Sequence, residues 1–347
     1  MKELDFYKDK RVFVTGHTGF KGTWLCHILL EAGAAVSGYA LEPEAGLYEQ
    51  TGLDRRMHSV IGDVRDEAKI TAALTEARPE VVFHLAAQAL VRRSYREPAL
   101  TYTTNVVGTV NILEAIRRMP SVRSFVNVTT DKVYENREWF WGYRENERLN
   151  GLDPYSNSKS CSELVTGSYR EAFFDGADST AVSTARSGNV IGGGDYSEDR
   201  VIPDCARAVR AGREILVRNP GSTRPYQHVL ECLYGYLLLA ERQYADRSFA
   251  GAYNFGPGEE SCVRTGELAA LFCEAWGDGA AWRVQEDEGP HEANYLKLDC
   301  AKAKEVLGWR PRWAVKTAVE KAVEFAKLDT DTERTACLGR QIKEYFV

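Results

Sequence analysis

Arg11-Val-Phe-Val-Thr-Gly-His-Thr-Gly-Phe-Lys-Gly22 is the stretch of sequence that decides the fold. Its first residues are apolar and β-branched and predict a short buried strand that runs directly into a glycine-rich turn. Residues 23–32 then show helical periodicity and end at Gly33. A strand, a glycine-rich turn and a helix in this order form the setting of a dinucleotide-binding site.

The turn itself is suited to a diphosphate. Glycine lets the turn close and lets the backbone approach a pyrophosphate, and the helix that follows offers free N–H groups at its positive end. The alternative is a glycine turn that binds no ligand. The spacing G-x-x-G-x-x-G favours the short-chain dehydrogenase/reductase type of site over the lactate dehydrogenase type. The cofactor contacts expected here are Gly16, Thr18, Gly19, Phe20, Lys21 and Gly22.

The next two strands bear on the choice of dinucleotide. A strand over 35–40 ends without an acidic residue, although Glu42 follows closely, and no arginine stands nearby for a 2′-phosphate. NAD is therefore favoured over NADP. After a third strand, Asp63 and Val64 are expected near the adenine, with a turn or cap role for Asp63 as an equal alternative.

Strands and helices continue to alternate. Further strands are predicted over 81–84, 124–129 and 179–186, with a helix through 102–115. The pattern predicts an α/β fold with a Rossmann-type, doubly wound parallel sheet, and ligands bind at the carboxyl ends of its strands. At that edge we expect Asn105 to hold the backbone near the site, and the cofactor to meet Leu85, Ala86, Ala87 and Gln88.

The second half of the chain has short elements punctuated by proline and a flexible loop over 187–195. We predict an NAD-binding Rossmann domain over 1–186, to which 229–256 returns. A smaller C-terminal α/β domain for the substrate is predicted over 187–228 and 257–330, followed by a C-terminal tail over 331–347.

Composition excludes several classes of protein. The 347 residues carry a net charge of −6, which argues against nucleic acid or an anionic membrane as a partner. No apolar run has the length of a membrane span, and the N-terminus does not resemble a signal peptide. The eight cysteines are scattered singly, which predicts reduced thiols in a cytoplasmic enzyme, and no spacing suggests a metal site.

Two motifs carry the chemistry. Tyr155-Ser-Asn-Ser-Lys159 places a tyrosine and a lysine one helical turn apart, and a cation beside a phenol favours the phenolate. Thr130-Asp131-Lys132 follows the predicted strand that ends at residue 129. Each has a plainer interpretation, the first as an ordinary helix start and the second as a cap or turn.

The chain resembles the extended short-chain dehydrogenase/reductases that act on nucleotide sugars, most closely the CDP-glucose 4,6-dehydratases. The resemblance spans residues 12–313, and Thr130-Asp131-Lys132 separates these from the dTDP-glucose enzymes, which carry Thr-Asp-Glu. This chain has Thr130 where serine is commoner, Val133 where cysteine is commoner and Ala89 where proline is common. Its most specific stretches are 138–147, 188–195, 224–231 and 290–299.

The resemblance implies NAD as cofactor and CDP-glucose as substrate, in deoxysugar biosynthesis. Tyr155, supported by Lys159, takes the O4 proton while the C4 hydride leaves, and Thr130 orients O4. Water is then lost across C5 and C6, with Lys132 as the base near C5 and Asp131 as the acid near O6. Hydride returns to C6 and a proton is restored at C5, which gives CDP-4-keto-6-deoxyglucose.

The assignments for Asp131 and Lys132 meet a physical difficulty. An ordinary aspartate is ionised and an ordinary lysine protonated near neutral pH, so both roles require burial to outweigh their mutual attraction. Lys132 as a cation that stabilises the enolate is the alternative. A different nucleotide-sugar dehydratase or epimerase, or a non-catalytic NAD-sensing protein, also remains open.

Several side chains of the second half are expected to bind the substrate. Asn189 is expected to meet the sugar or diphosphate and Arg224 the diphosphate, because arginine suits paired phosphate oxygens. Alternatives are a surface ion pair for Arg224 and core positions for His228 and Tyr295. The resemblance also implies a homodimer, or a homotetramer, formed through the helices after Asn105 and Tyr155. The full set of expected substrate contacts is Asn189, Arg200, Arg218, Arg224, His228 and Tyr295.

Overall fold

The computed structural model describes residues 1–43, 46–285 and 294–346. Its central element is a parallel sheet of seven strands, in the order β11-β6-β5-β4-β1-β2-β3. These strands are β1 (Arg11–Thr15), β2 (Ala35–Ala40), β3 (His58–Ile61), β4 (Val81–His84), β5 (Ser124–Val128), β6 (Ala181–Ser187) and β11 (Ala252–Phe255). The prediction of an α/β fold with a doubly wound parallel sheet is confirmed.

The helices cover both faces of this sheet and build the C-terminal part. They are α1 (Phe20–Glu31), α2 (Leu47–Gln50), α3 (Glu67–Ala77), α4 (Val91–Arg96), α5 (Pro98–Tyr102), α6 (Gly108–Arg117), α7 (Pro154–Phe173), α8 (Val201–Arg210), α9 (Val229–Ala245), α10 (Thr265–Trp276), α11 (Val315–Ala326) and α12 (Asp331–Tyr345). None of the described helices is long and apolar enough to cross a membrane.

Short strands pair outside the main sheet. They are β7 (Val190–Ile191), β8 (Ile215–Val217), β9 (Thr223–Pro225), β10 (Gln227–His228), β12 (Cys262–Arg264) and β13 (Trp282–Val284). The loop predicted as flexible over 187–195 contains β7, which pairs with β10. Its Gly193 carbonyl also accepts a hydrogen bond from Trp24 Nε1 at 2.9 Å, so contacts with the core fix this segment.

Alternating side chains of the strands feed two apolar cores. In β1, Val12 and Val14 join the core that contains α1, α9 and α12, whereas Phe13 joins the core beneath α3 and α6. A parallel sheet covered on both faces needs apolar side chains on each. The predicted tail over 331–347 includes α12, whose Ile342 and Tyr345 are buried in the first core.

A third core lies in the C-terminal part, between α8, α10 and α11, and contains Ile202, Phe272 and Val319. The strand β11 returns from this part to the edge of the main sheet beside β6. These positions are consistent with the predicted division into two domains, whose boundaries stay a prediction.

One predicted helix differs from the structure. The helix expected through 102–115 is α5 and α6 joined by a π-helical turn at Thr103–Val107. That turn contains Asn105. π-Helical turns inside α-helices are frequent at functional sites.

Candidate active site

The glycine turn and the segment after β4 touch backbone to backbone. Gly16 has φ of +75°, and a Cβ there would lie 2.8 Å from the Ala86 nitrogen. A Cβ on Gly22 would lie 2.1 Å from the Gly16 carbonyl oxygen. Only glycine fits these two positions, and the result is a narrow cradle at the N-terminus of α1. A pyrophosphate requires this kind of close backbone approach.

A threonine outside the motifs organises the same edge. The Thr15 hydroxyl bonds the His84 Nδ1 at 2.7 Å and accepts from the nitrogens of Leu85 and Ala86, each at 3.1 Å. Burial lowers the pKa of His84 to about 3, so this ring is neutral. Thr15 and His84 therefore fix the backbone over which a dinucleotide would lie.

Asn105 holds Gln88, as its sequence position suggested. Its Oδ1 accepts from the Gln88 nitrogen at 2.9 Å, and its Nδ2 donates to the Gln88 carbonyl at 3.0 Å. The same Nδ2 donates to Ser158 Oγ at 2.8 Å, on α7. One buried amide thus ties the segment after β4 to the helix that carries Tyr155.

The remaining side chains of the turn lie in different environments. Thr18 donates to the Leu41 carbonyl at 3.1 Å, and Phe20 packs against the first core. Lys21 points inward, where its Nζ donates to Ser187 Oγ at 3.1 Å and Tyr236 Oη at 3.5 Å. Burial lowers the pKa of Lys21.

At the adenine side of the predicted cofactor site, Asp63 forms a turn. Its carboxylate accepts from the Arg65 side chain and from the Arg65 nitrogen at 2.9 Å, and the hydrogen bond from the Arg65 side chain lowers the pKa of Asp63. The turn alternative for Asp63 is therefore favoured. Val64 is buried in the second core, and its carbonyl accepts from Asn111 Nδ2 at 2.9 Å.

Thr130, Asp131 and Lys132 form a single turn directly after β5. Thr130 Oγ1 donates to Asp131 Oδ1 at 3.0 Å, and Lys132 Nζ lies 3.6 Å from the same oxygen. Lys132 Nζ also donates to Asn189 Oδ1 at 3.3 Å. The Thr130 hydroxyl also acts on the Tyr155 side chain, whose pKa it lowers. The two motifs therefore meet in space, together with Asn189 from the loop after β6.

The two members of the acid–lysine pair differ in exposure. The Asp131 side chain is 1% exposed and that of Lys132 is 29% exposed. Within the part of the chain that the structure describes, the buried Asp131 Oδ2 has no hydrogen-bond partner. A Cβ on Gly188 would lie 3.3 Å from this oxygen and 2.6 Å from Pro225 Cγ. Glycine at 188 therefore leaves room beside an acceptor oxygen with free lone pairs.

The start of α7 is fixed by hydrogen bonds on both sides of Tyr155. Asp153 Oδ1 caps the helix by accepting from the Ser156 nitrogen at 3.0 Å, and the Tyr155 nitrogen donates to Ser94 Oγ at 3.1 Å. Lys159 is buried and donates from Nζ to the Val128 carbonyl at 3.1 Å. The helix thus presents Tyr155 to Thr130 and binds the end of β5 through Lys159.

The electrostatics of Tyr155 differ from the prediction. Burial raises the pKa of Tyr155, and the groups that lower it most are the Arg200 guanidinium and the hydrogen bond with Thr130. Burial also lowers the pKa of Lys159 to about 8. The cation expected to favour the phenolate was Lys159, but the Arg200 guanidinium has the larger effect.

The predicted arginine contacts form three separate arrangements. Arg200 donates to the Ala89 carbonyl at 3.3 Å. Arg218 is paired with Asp199 at 2.8 Å and lies 3.9 Å from Asp204. Arg224 lies in β9 and is 6% exposed, so it is not a surface ion pair. Arg200 acts electrostatically on Tyr155 and lowers its pKa.

His228 and Tyr295 lie away from the proton-transfer groups. His228 is fully buried between the rings of Trp24 and Trp313, and its Nδ1 caps α9. This position favours the core alternative for His228. Tyr295 is half-buried, and its hydroxyl donates to the Phe140 carbonyl at 3.4 Å. Residues 290–293 of the stretch that precedes it lie outside the described residues.

Sequence reasoning missed a buried ion pair beneath the site. Glu163 on α7 and Arg186 on β6 meet at 2.8 Å, and their side chains are 2% and 3% exposed. No sequence pattern joins these residues, because they lie on different elements. The spacing of Glu163, four residues after Lys159 on one helix, was the available signal.

The seven-stranded parallel sheet, the glycine cradle and the Tyr155–Lys159 helix together define an extended short-chain dehydrogenase/reductase of the nucleotide-sugar type. The family model of GDP-mannose 4,6-dehydratase matches residues 13–322, and the chain belongs to this family of nucleotide-sugar dehydratases. The family predicted from the sequence is thereby confirmed.

Individual relatives agree with this family. The chain is 46% identical to a CDP-glucose 4,6-dehydratase of Salmonella typhimurium, across 100% of this chain and 99% of the relative. A UDP-glucose 4-epimerase of Thermus thermophilus, solved with NAD, is 26% identical with a TM-score of 0.79, covering 91% of this chain and 98% of that one. An epimerase of Methanothermobacter thermautotrophicus shares the fold with a TM-score of 0.82 and 22% identity, over 98% and 97% of the two chains.

Proposed function

We propose that the protein is a hydro-lyase that converts CDP-glucose to CDP-4-keto-6-deoxyglucose and water, in deoxysugar biosynthesis. The observation that carries this proposal is the Thr130–Asp131–Lys132 turn, which meets Tyr155 through Thr130 and Asn189 through Lys132. A group for O4, a carboxyl group and an amine thus lie together at one end of β5. The 46% identity to a CDP-glucose 4,6-dehydratase supports the choice of substrate.

NAD fits the cradle at the start of α1. A Cβ on Gly16 would collide with the Ala86 backbone, and a Cβ on Gly22 would collide with the Gly16 backbone. The first turn of α1 presents unpaired N–H groups to a pyrophosphate. Bound there, NAD would supply the acceptor for the C4 hydride and the donor of the hydride at C6, so the overall reaction would be redox-neutral.

The protein's own groups move the protons. Tyr155 takes the O4 proton, and the Thr130 hydroxyl, which acts on the Tyr155 side chain, orients O4. Lys132, as the neutral amine, removes the C5 proton, which the neighbouring ketone acidifies. Asp131, as the neutral acid, gives its proton to O6, so that the C6–O6 bond breaks and water leaves. The closeness of Lys132 to Asp131, at 3.6 Å, lets proton removal and protonation occur on neighbouring atoms of one substrate.

The substrate diphosphate is assigned to the arginines of the C-terminal part. Arg200 lies next to both Tyr155 and the Ala89 carbonyl, so it is close to the sugar end. Arg224 and Arg218 lie farther along this part, on β9 and after β8. Arginine binds phosphate oxygens in pairs, which is the geometry of a nucleoside diphosphate.

We also propose a homodimer or homotetramer in the cytoplasm. Val107, Leu164 and Phe173 are 45%, 59% and 51% exposed, on the π-helical turn before α6 and on α7. Apolar side chains at these positions fit helix packing between two copies of the chain.

Incubation of the protein and NAD with CDP-glucose tests the proposed reaction. We expect a 4-keto-6-deoxy product, measured by its absorbance in alkali, and no product from the Tyr155→Phe variant. Parallel incubations with dTDP-glucose, UDP-glucose and GDP-mannose test the base. Turnover of one of these instead of CDP-glucose would replace the substrate but keep the reaction.

An epimerase is the second candidate, because solved epimerases share this fold. Epimerisation needs no acid and base at C5 and C6, so Asp131 and Lys132 would have no task. Conversion of a nucleotide sugar to its C4 epimer, without a keto product, would contradict the dehydratase proposal. Binding of NAD without turnover of any of these sugars would favour a sensing protein.

A further inference from the structure

Glu163 is the most heavily bonded carboxylate near the site, although the reaction steps above do not use it. It lies on α7, one helical turn after Lys159, and its side chain is 2% exposed. Arg186 donates to both of its oxygens, from Nε at 2.9 Å and from Nη2 at 2.8 Å. The hydroxyls of Thr129 and Thr184 complete its shell, the latter at 2.7 Å. A fully satisfied buried charge of this kind fixes the elements that it joins.

One of these bonds leads directly to the site. Thr129 is the residue between the end of β5 and Thr130, so its hydrogen bond to Glu163 sets where the Thr130–Lys132 turn begins. Lys159 binds the preceding residue through the Val128 carbonyl at 3.1 Å. Two side chains of α7 therefore hold two successive residues at the start of the turn.

Arg186, the other member of the ion pair, contacts the residue that follows the same turn. Arg186 Nη1 donates to Tyr134 Oη at 2.8 Å, and Tyr134 follows the turn that contains Lys132. Arg186 also precedes Ser187 and Gly188 in the chain, and Gly188 lies against Asp131. The Glu163–Arg186 pair thus clamps the turn on both sides.

We propose that Glu163 is a positioning residue for the dehydration: it fixes the Thr130–Lys132 turn through Thr129 and supplies the negative charge that balances Lys159. This inference rests on the proposed function for the meaning of the turn, whereas the charge balance at Lys159 does not depend on the substrate. The structure also gives the direction in which the charge of Glu163 changes the pKa of Lys159. Burial and Lys21 lower the pKa of Lys159, and Glu163 opposes them.

The charge is tested with Glu163→Gln, Glu163→Asp and the double variant Glu163→Gln/Arg186→Gln. Lys159 acts as a cation, so activity falls with rising pH as it loses its proton. Removal of a neighbouring negative charge lowers the pKa of Lys159. We therefore expect the alkaline limb of the pH–activity profile to move to lower pH by about one pH unit. Glu163→Asp keeps the charge and should keep the position of the limb while kcat falls. The double variant leaves no unpaired buried arginine, but it also removes the positive charge of Arg186, so it tests whether the pair is needed for folding and kcat and should shift the limb less than Glu163→Gln.

A second readout needs no turnover. The titration of Lys159 is followed by NMR in the substrate-free protein labelled in its lysine side chains, with the signal assigned by its loss in Lys159→Arg. A normal Lys159 titration shift in the glutamine variants, combined with no turnover of CDP-glucose by the wild type, would overturn the proposed function alone. An unmoved Lys159 titration in the folded Glu163→Gln variant would overturn the charge role of Glu163.

Glu231→Gln is the matched control for a buried carboxylate. Glu231 on α9 is fully buried and accepts from the Trp313 nitrogen at 2.7 Å and from Tyr345 Oη at 2.6 Å. Because these partners belong to the C-terminal part, its loss should lower the melting temperature without moving the alkaline limb. A shift of the limb equal to that of Glu163→Gln would show that general destabilisation causes it.

The geometric role is tested with Thr129→Val and Thr184→Val. Each removes one hydroxyl donor from the same carboxylate, but only Thr129 adjoins the catalytic turn. We expect kcat to fall by about tenfold or more in Thr129→Val, with KM and the alkaline limb little changed, and by much less in Thr184→Val. Equal losses in the two variants would overturn the positioning of the turn by Glu163.

Discussion

The two lysines of the site stand in contrasting surroundings. On the α7 side, Lys159 is 5% exposed and is held by a backbone carbonyl above a buried ion pair. On the β5 side, the Lys132 side chain is 29% exposed and contacts two side-chain oxygens, one each from Asp131 and Asn189. A lysine held by a backbone carbonyl keeps one position, whereas a lysine held by side chains can exchange partners. The contrast suggests that the α7 side serves the redox step and the β5 side the elimination.

The largest expected effect is that of Lys132→Met, which removes the amine of the β5 side and leaves the α7 side unchanged. Overall turnover should fall by about 10²–10⁴-fold, the usual contribution of a general acid or base. The first hydride transfer should survive, because Tyr155 and Lys159 remain. NADH absorbance in a single turnover measures that step, and Tyr155→Phe is the reference that should lose it. Loss of the NADH signal in both variants would show that the two sides do not act separately.

Arg200→Met tests the effect of the Arg200 guanidinium on the pKa of Tyr155. Tyr155 acts as a base only when deprotonated, so activity rises with pH through its pKa. Arg200 lowers the pKa of Tyr155, and its removal should move the acidic limb of kcat/KM to higher pH. At neutral pH we expect activity to fall by about tenfold.

Arg218→Met is the control for this pH effect. Arg218 is paired with Asp199 and Asp204, in the same part of the chain. Its loss should raise KM through weaker diphosphate binding while the acidic limb keeps its position. A limb that moves equally in the two variants would rule out a specific action of Arg200 on Tyr155.

A smaller effect is expected from Asn189→Ala, which removes one oxygen that accepts from Lys132. A hydrogen bond to a charged group contributes about 1.5–3 kcal/mol, so elimination should slow by about tenfold or somewhat more. Rapid-quench analysis of the 4-keto product, beside NADH absorbance, distinguishes this from slower hydride transfer. If hydride transfer slows as much as elimination, Asn189 positions the whole sugar rather than Lys132.

The smallest effect should come from Asp153→Ala, which removes the cap of α7. Loss of such a cap costs about 1 kcal/mol of folding free energy. Thermal unfolding should show a drop in melting temperature of a few degrees, while kcat changes little because Ser94 still binds the Tyr155 nitrogen. A large loss of kcat would mean that the helix start, and not only Lys159, fixes the α7 side.

The sequence was sufficient where the signal is local. The strands at Arg11–Thr15, Ala35–Ala40 and Val81–His84 lie where β-branched runs predicted them, because each is buried on both faces and bounded by turn residues. The Thr130–Lys132 turn and the Tyr155–Lys159 helix start were also found, since each motif occupies a few successive residues.

The rest depends on contacts between distant parts of the chain. Neither the effect of Arg200 on Tyr155 nor the Glu163–Arg186 pair follows from spacing, because which side chains meet is decided by the order of strands in the sheet. The same holds for Tyr155, whose pKa is raised by burial. Its local neighbour Lys159 was visible in the sequence, whereas the degree of burial was not.

The position of the edge strand β11 in the chain bears on the order of folding. It completes the main sheet beside β6, yet α10 and α11, which cover α8 in the third core, come after it in the chain. A nascent chain that ends just after β11 thus has every strand of the main sheet but leaves the apolar side chains of α8 and β8 uncovered. Uncovered apolar surface of this kind promotes aggregation during synthesis. The last quarter of the sequence therefore supplies the helices that cover the apolar surface left exposed by the earlier part of the chain.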